Sequence, residues 1–116
     1  MVAYNFSPRF APLVEAGTKR QTIRRTLRCA PGDALQLFEG QRTPDCRKLV
    51  DPDPICKAGH SIRIAPTGVF IDREPLSPNL HEQFAQADGF RDFRDMLLWF
   101  RTRYKVDTID GFLTKW

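Results

Sequence analysis

The apolar residues of this chain come in short runs that proline- and glycine-bearing turns cut off, and one stretch alone carries a long helical stripe. Phe93, Met96, Leu97, Phe100 and Tyr104 recur at helical spacing, which predicts a helix over residues 90–104 with its aromatics in the core. Elsewhere a period of two dominates. Strands are predicted over 2–6, with Val2, Tyr4 and Phe6 on one face, and over 22–24, 34–38 and 46–50. Residues 61–64 and 69–72 form a hairpin whose loop is the four residues Ala65-Pro66-Thr67-Gly68. The ending, 111–116, reads as a last strand that pairs with the first and closes a barrel. Ser7 as N-cap, Pro8 in the first turn, the stripe Phe10, Leu13 and Val14, and the stop Gly17 mark a short early helix. Another helix is expected over 80–87. Many short strands with two or three helices give an α+β or small-barrel architecture, and 116 residues make a single domain, 1–116.

Charge narrows the choice of partner. The formal net charge is +4, and residues 1–60 hold ten Lys/Arg against six Asp/Glu while residues 61–116 hold eight of each. Lys19, Arg20, Arg24, Arg25 and Arg28 fall in ten residues that contain no acid. Such a cluster is either a solvated face or a site for an anion, because a local positive field draws phosphate. No apolar run is long enough to span a membrane, and the start lacks a secretory signal, so a cytoplasmic protein without a membrane partner is expected. Three cysteines, an odd count, fit reduced thiols. Cys29, Cys46, Cys56 and His60 offer a possible tetrahedral zinc set, but only Cys56 and His60 have a ligand-like interval. Buried free cysteines and a loop histidine are the reading adopted, with no metal and no cofactor.

Three segments carry a family resemblance. Ala16-Gly17-Thr18-Lys19-Arg20-Gln21-Thr22-Ile23-Arg24 is similar to the Gly-x-Lys-x-x-x-x-Arg signature of the ASCH family, relatives of the PUA RNA-binding fold. Pro31-Gly32-Asp33 leading into Ala34–Phe38 looks like that family's turn into a barrel strand. Ala87-Asp88-Gly89-Phe90 followed by Met96-Leu97-Leu98-Trp99-Phe100 resembles its late acidic turn and helix. The resemblance implies a small PUA-like β-barrel with two or three flanking helices, a cleft lined by the signature, and RNA or a modified nucleoside as partner. Some family members are amidohydrolases that remove the acyl group from N4-acetylcytidine, and one branch cleaves RNA.

In the amidohydrolases the working residues look like a Lys, a Thr three positions later and a downstream Glu. Lys19 and Thr22 match, and Asp88 stands in the third place, one methylene shorter. A threonine hydroxyl needs a base to take its proton, and a lysine is that base only if burial and neighbouring cations lower its pKa. On a regular strand Lys19 and Thr22 would point to opposite faces, so the strand is expected to begin after Lys19. The bland alternatives are a solvated Lys19, a Thr22 that merely favours a strand, and an Asp88 that caps a turn.

The leading reading is therefore a domain that binds RNA or a modified nucleoside in a basic cleft built around Lys19 to Arg24. Arg20, Arg24, Arg25, Arg28 and Arg42 would contact phosphate, and Phe38 or Tyr4 would offer a stacking face. A small hydrolase using Lys19, Thr22 and Asp88 is the alternative. A protein-interaction adaptor with a basic face is a weaker one.

Overall fold

The computed structural model describes residues 2–116. Eight strands fall into two sheets. The first sheet holds β1 (Val2–Phe6), β3 (Leu35–Glu39) and β4 (Arg47–Lys48), with β1 parallel to β3 and β4 antiparallel to it. The second has the order β2 (Gln21–Arg24), β8 (Ile109–Lys115), β5 (Ala58–Ala65), β6 (Gly68–Ile71) and β7 (Glu74–Pro75), antiparallel throughout. Helix α1 (Ala11–Glu15) leads into β2. A 3-10 turn (Pro78–Leu80), α2 (His81–Ala87) and α3 (Phe93–Tyr104) lie between β7 and β8. None of these helices is long and apolar enough to cross a membrane.

The predicted α+β class is present, with changes in pairing. The last strand does not pair with the first. It lies between β2 and β5, and the two sheets share no strand pair among the described residues, so the ring is not closed. A side-chain bond joins them instead: the hydroxyls of Tyr4 on β1 and Thr114 on β8 are 2.9 Å apart and buried. The β5–β6 loop is Pro66-Thr67 alone, because Ala65 pairs with Gly68. Strand β5 starts at Ala58, three residues before its predicted start, since β8 offers seven partners along its length. Ser7 caps nothing with its side chain. Its carbonyl accepts the Phe10 and Ala11 amides, and α1 begins after that turn with Pro12 in its first turn.

Alternation decides which residues enter the core. On β5, Ile62 and Ile64 are buried while Ser61 and Arg63 face solvent. Leu35 and Leu37 on β3 are fully buried, as are Met96 on α3 and Leu113 on β8. Each such side chain contributes roughly 1.5–3 kcal/mol of transfer free energy. Gly59 marks one of the two tightest crossings, Gly111 against Arg24 being the other. A Cβ on Gly59 would lie 2.4 Å from the Cys29 carbonyl oxygen. Gly59→Ala is expected to cost at least about 1–3 kcal/mol, because backbone rather than a flexible side chain must shift. Urea denaturation would check it through a lowered midpoint at unchanged slope.

Helix α3 starts with a cap. Asp92 accepts the Asp95 amide at 2.7 Å, which supplies one of the donors a helix start leaves unpaired. Asp95 itself is buried and faces the Arg9 guanidinium and the Arg91 amide, the latter at 2.9 Å. Burial alone would raise its carboxyl pKa, but the Arg91 amide and Arg9 outweigh that and hold it below the usual range. The ionised form is thus favoured by folding. Its stabilisation is present above the unfolded value of about 4 and is lost as pH falls through the lower folded value. Asp95→Asn should flatten the acid limb of stability below about pH 4, measured by denaturation at stepped pH.

Candidate active site at the Lys19 pocket

The end of α1 decides how the signature enters the fold. Gly17 adopts φ +80°, and the Thr18 and Lys19 amides both return to the Leu13 carbonyl, at 2.9 and 3.0 Å. Lys19 is thereby held in the loop, and β2 starts two residues later at Gln21. The predicted loop-to-strand geometry is present. Lys19 and Thr22 line one cavity of about 360 Å³ together with Asp88, Arg24 and a set of aromatic rings.

Asp88 reaches the cavity from the opposite side. It closes α2 as the C-cap residue, with its amide bonded to the Ala85 and Phe84 carbonyls. Its carboxylate also lies 3.2 Å from Lys19 Nζ and accepts Gln21 Nε2 at 3.3 Å. The turn residue and the site residue are therefore the same residue. Lys19 Nζ further donates to the Asp88 main-chain carbonyl. The side chains of Lys19 and Asp88 are only 3% and 5% exposed. Gly89 makes this approach possible. It sits at φ +97°, and a Cβ there would meet Phe10 at 3.0 Å and the Lys19 stem at 3.2 Å.

Burial sets the proton affinities. It lowers the Lys19 pKa, against the opposing pull of Asp88, and Arg24 lowers it a little further. It raises Asp88, against Lys19 and Gln21. Desolvation, rather than crowding by several arginines, is the main cause for Lys19, and Arg24 is the one arginine that adds to it. Both shifts favour a proton on the carboxyl and an uncharged amine. Thr22 Oγ1 has no hydrogen-bond partner in the protein among the described residues, so its lone pairs and proton are free for a ligand.

The wall of the cavity is aromatic. Phe10, Phe90, Trp99, Phe100 and Tyr104 pack edge to face and stacked, with centroids 5.1–6.4 Å apart. The α3 stripe is expected in the core, yet two of its rings, Phe100 and Tyr104, also face this cavity beside Trp99. Lys19 Nζ stands 5.0 Å from the Phe10 ring centre. The Arg24 guanidinium donates to the Asn5 carbonyl at 2.9 Å and covers the Phe6 and Tyr4 rings at 5.1 and 5.4 Å.

Compared with family models, curated proteins and solved structures, the chain matches none. The site must be read from its own chemistry.

The remaining sequence-predicted residues disperse. Arg25 rests 5.3 Å over the Tyr104 ring and Arg28 5.5 Å over Phe112, while Arg20 bonds the Trp116 carbonyl at 3.1 Å. Of the five arginines expected at the cleft, Arg24 lines the Lys19 pocket and Arg20, Arg25, Arg28 and Arg42 do not. Tyr4 offers no stacking face, because it is 1% exposed and burial pushes its phenol up to about 12. Cys29 and Cys56 face each other as buried free thiols, Cys46 is exposed, and His60 Nδ1 is 2.6 Å from Asp72. The four candidate ligands do not gather, and no metal-binding cluster forms among the described residues. Burial pushes the Cys56 thiol up to about 12, which removes it as a nucleophile at neutral pH.

Proposed function

We propose that the Lys19 pocket takes the base of RNA or of a modified nucleoside and hydrolyses an acyl group from its exocyclic nitrogen, as in N4-acetylcytidine. The observation that carries this reading is the 3.2 Å approach of the Asp88 carboxylate to Lys19 Nζ inside a cavity that Thr22 also lines. An Asp88 far from Lys19 would have left only binding. The cavity falls within the range of about 300–1,000 Å³ usual for small-molecule sites, and aromatic walls with few convergent polar groups suit a planar heterocycle. The ASCH resemblance of residues 16–24 points to the same chemistry. On this reading the two sheets are halves of a PUA-like barrel, bridged at Tyr4 and Thr114.

The steps close. Uncharged Lys19 takes the Thr22 proton as Thr22 Oγ1 attacks the acyl carbonyl carbon. Protonated Asp88 gives its proton to the nitrogen as the C–N bond breaks, and the amine leaves. Water then attacks the threonyl ester, Asp88 taking its proton while Lys19 returns one to Thr22 Oγ1. Acyl acid is released, and every group regains its starting proton.

The test is incubation of the chain with N4-acetylcytidine, followed by acetate release and the change in base absorbance, with cytidine as control. Release of acetate is the expected result. No release together with no binding of either nucleoside would overturn the proposal.

A further inference from the structure

A second concavity, of about 570 Å³, lies outside the Lys19 pocket on the face formed by β5, β6 and β8. The register of the strands explains its floor. Phe112 is opposite Arg24 on one side and Ser61 on the other, and Phe70 is opposite Arg63. Two half-buried phenyl rings therefore sit among residues that face solvent. Arg25 and Arg73 line the groove and the Arg28 guanidinium covers the Phe112 ring. Arg63 is held by Asp110 at 2.7 and 3.2 Å, whereas Arg25, Arg28 and Arg73 make no ion pair among the described residues. Three uncompensated guanidinium groups around two half-buried rings match a ligand that carries flat bases and repeated negative charge.

The groove adjoins the pocket along the chain. Arg24 and Arg25 are consecutive, and Arg24 lines the pocket while Arg25 lines the groove. Arg25 also rests on Tyr104, a pocket residue.

We infer that this face binds a single-stranded RNA segment, which runs from the Lys19 pocket across Arg25 and stacks bases on Phe70 and on the Arg28 guanidinium held over Phe112. Aromatic platforms beside arginines hold single strands in this way, with each base stacked and each phosphate near a cation. Exposed Ser61 and the Asp110 carboxylate border the path as partners for a 2′-hydroxyl, which donates and accepts. The inference rests on the pocket being a base site only for the direction of the strand. It makes the substrate an acylated base within RNA rather than a free nucleoside.

The experiment compares N4-acetylcytidine, an eight-nucleotide RNA carrying that base, the same RNA unmodified, the DNA equivalent and a duplex, all by fluorescence anisotropy or competition at stepped salt. Both RNA strands should bind more tightly than the free nucleoside. The affinity should fall with salt at a logarithmic slope of about −0.7 per phosphate contacted, and Arg73→Glu should reduce that slope. Phe112→Ala should weaken RNA binding by roughly 5- to 150-fold and leave free-nucleoside binding unchanged. Arg73→Glu, at an exposed turn, keeps the test valid if Phe112→Ala fails to fold. RNA no tighter than the nucleoside, or insensitive to both variants, overturns the inference. Equal binding of DNA overturns the RNA assignment, and equal binding of duplex overturns stacking. RNA binding that depends on Phe112 but ignores Lys19→Met would sustain the groove while sinking the pocket reading.

Discussion

An Asp88→Ala substitution is expected to lower the unfolding free energy by about 3–5 kcal/mol at neutral pH, because Lys19, buried without its partner, must then either hold an uncompensated charge or give up its proton. Lys19 is 3% exposed, so water cannot replace the carboxylate. What remains is the Asp88 main-chain carbonyl and the faces of Phe10 and Phe6, at 5.0 and 6.0 Å. Cation–π contacts supply about 0.5–2 kcal/mol, less than the loss. Against a total stability of about 5–15 kcal/mol, the change is large enough to halve the margin of a small domain. A Lys19→Met change in the same chain should restore most of it, because the pair is then apolar and no charge is stranded. The double-mutant cycle by chemical denaturation reads this directly, and a single-variant cost under about 1 kcal/mol would refute it. pH gives a second reading. With Asp88 gone, Lys19 has a folded pKa still further below its unfolded value of about 10.4, so the unfolded chain binds more protons. The deficit should be full below the folded value and shrink as pH rises towards about 10.

How much of this was legible in the sequence depends on whether the determinant was local. Gly17 ends α1 and releases Lys19 into a loop, and both facts follow from a positive φ that glycine alone adopts readily. The three-residue spacing of Lys19 and Thr22 was therefore readable, including the need for the strand to start late. Asp88 was readable as one carboxylate before a glycine, but its two roles looked like rivals. Only the approach of the Asp88–Gly89 turn to Phe10, Leu13 and the Lys19 stem makes a C-cap residue the partner of Lys19. The aromatics of α3 show the same limit. A helical stripe says which face is apolar, not whether a neighbouring element covers it, and Trp99, Phe100 and Tyr104 wall a cavity. Partner choice between strands was the least legible of all. Period two tells which residues turn inward, yet β8 takes β2 and β5 as neighbours through contacts some 90 and 50 residues away in sequence, and nothing local encodes that. Phe112 and Phe70 escaped notice for this reason: each is one aromatic in its own strand, and the groove exists only once the strands are side by side.

Loss of either Lys19 or Thr22 is expected to lower deacylation by about 10²–10⁴-fold, the usual scale of a positioned base or its nucleophile. Thr22→Ala removes the attacking oxygen and Thr22→Ser keeps it, so the serine variant should retain most of the rate while the alanine variant does not. A merely structural threonine would leave the rates of the two variants alike and change only their stability. Lys19→Met removes the base at nearly constant volume, and because burial raises the Asp88 pKa, the carboxyl left behind takes up a proton more readily and the fold is expected to survive. The pH profile then tests the pair as a pair. The active form carries one proton shared between Lys19 and Asp88. A second proton blocks the amine, and loss of the first removes the acid, so kcat/KM should trace a bell whose limbs belong to the pair jointly. Burial raises Asp88 and lowers Lys19, which places the acid limb above the ordinary carboxylate range and the alkaline limb below the ordinary lysine value. A flat profile between pH 5 and 9, with full activity in Thr22→Ala, would mean that water is activated elsewhere and that the Lys19–Asp88 pair serves only to hold the pocket together.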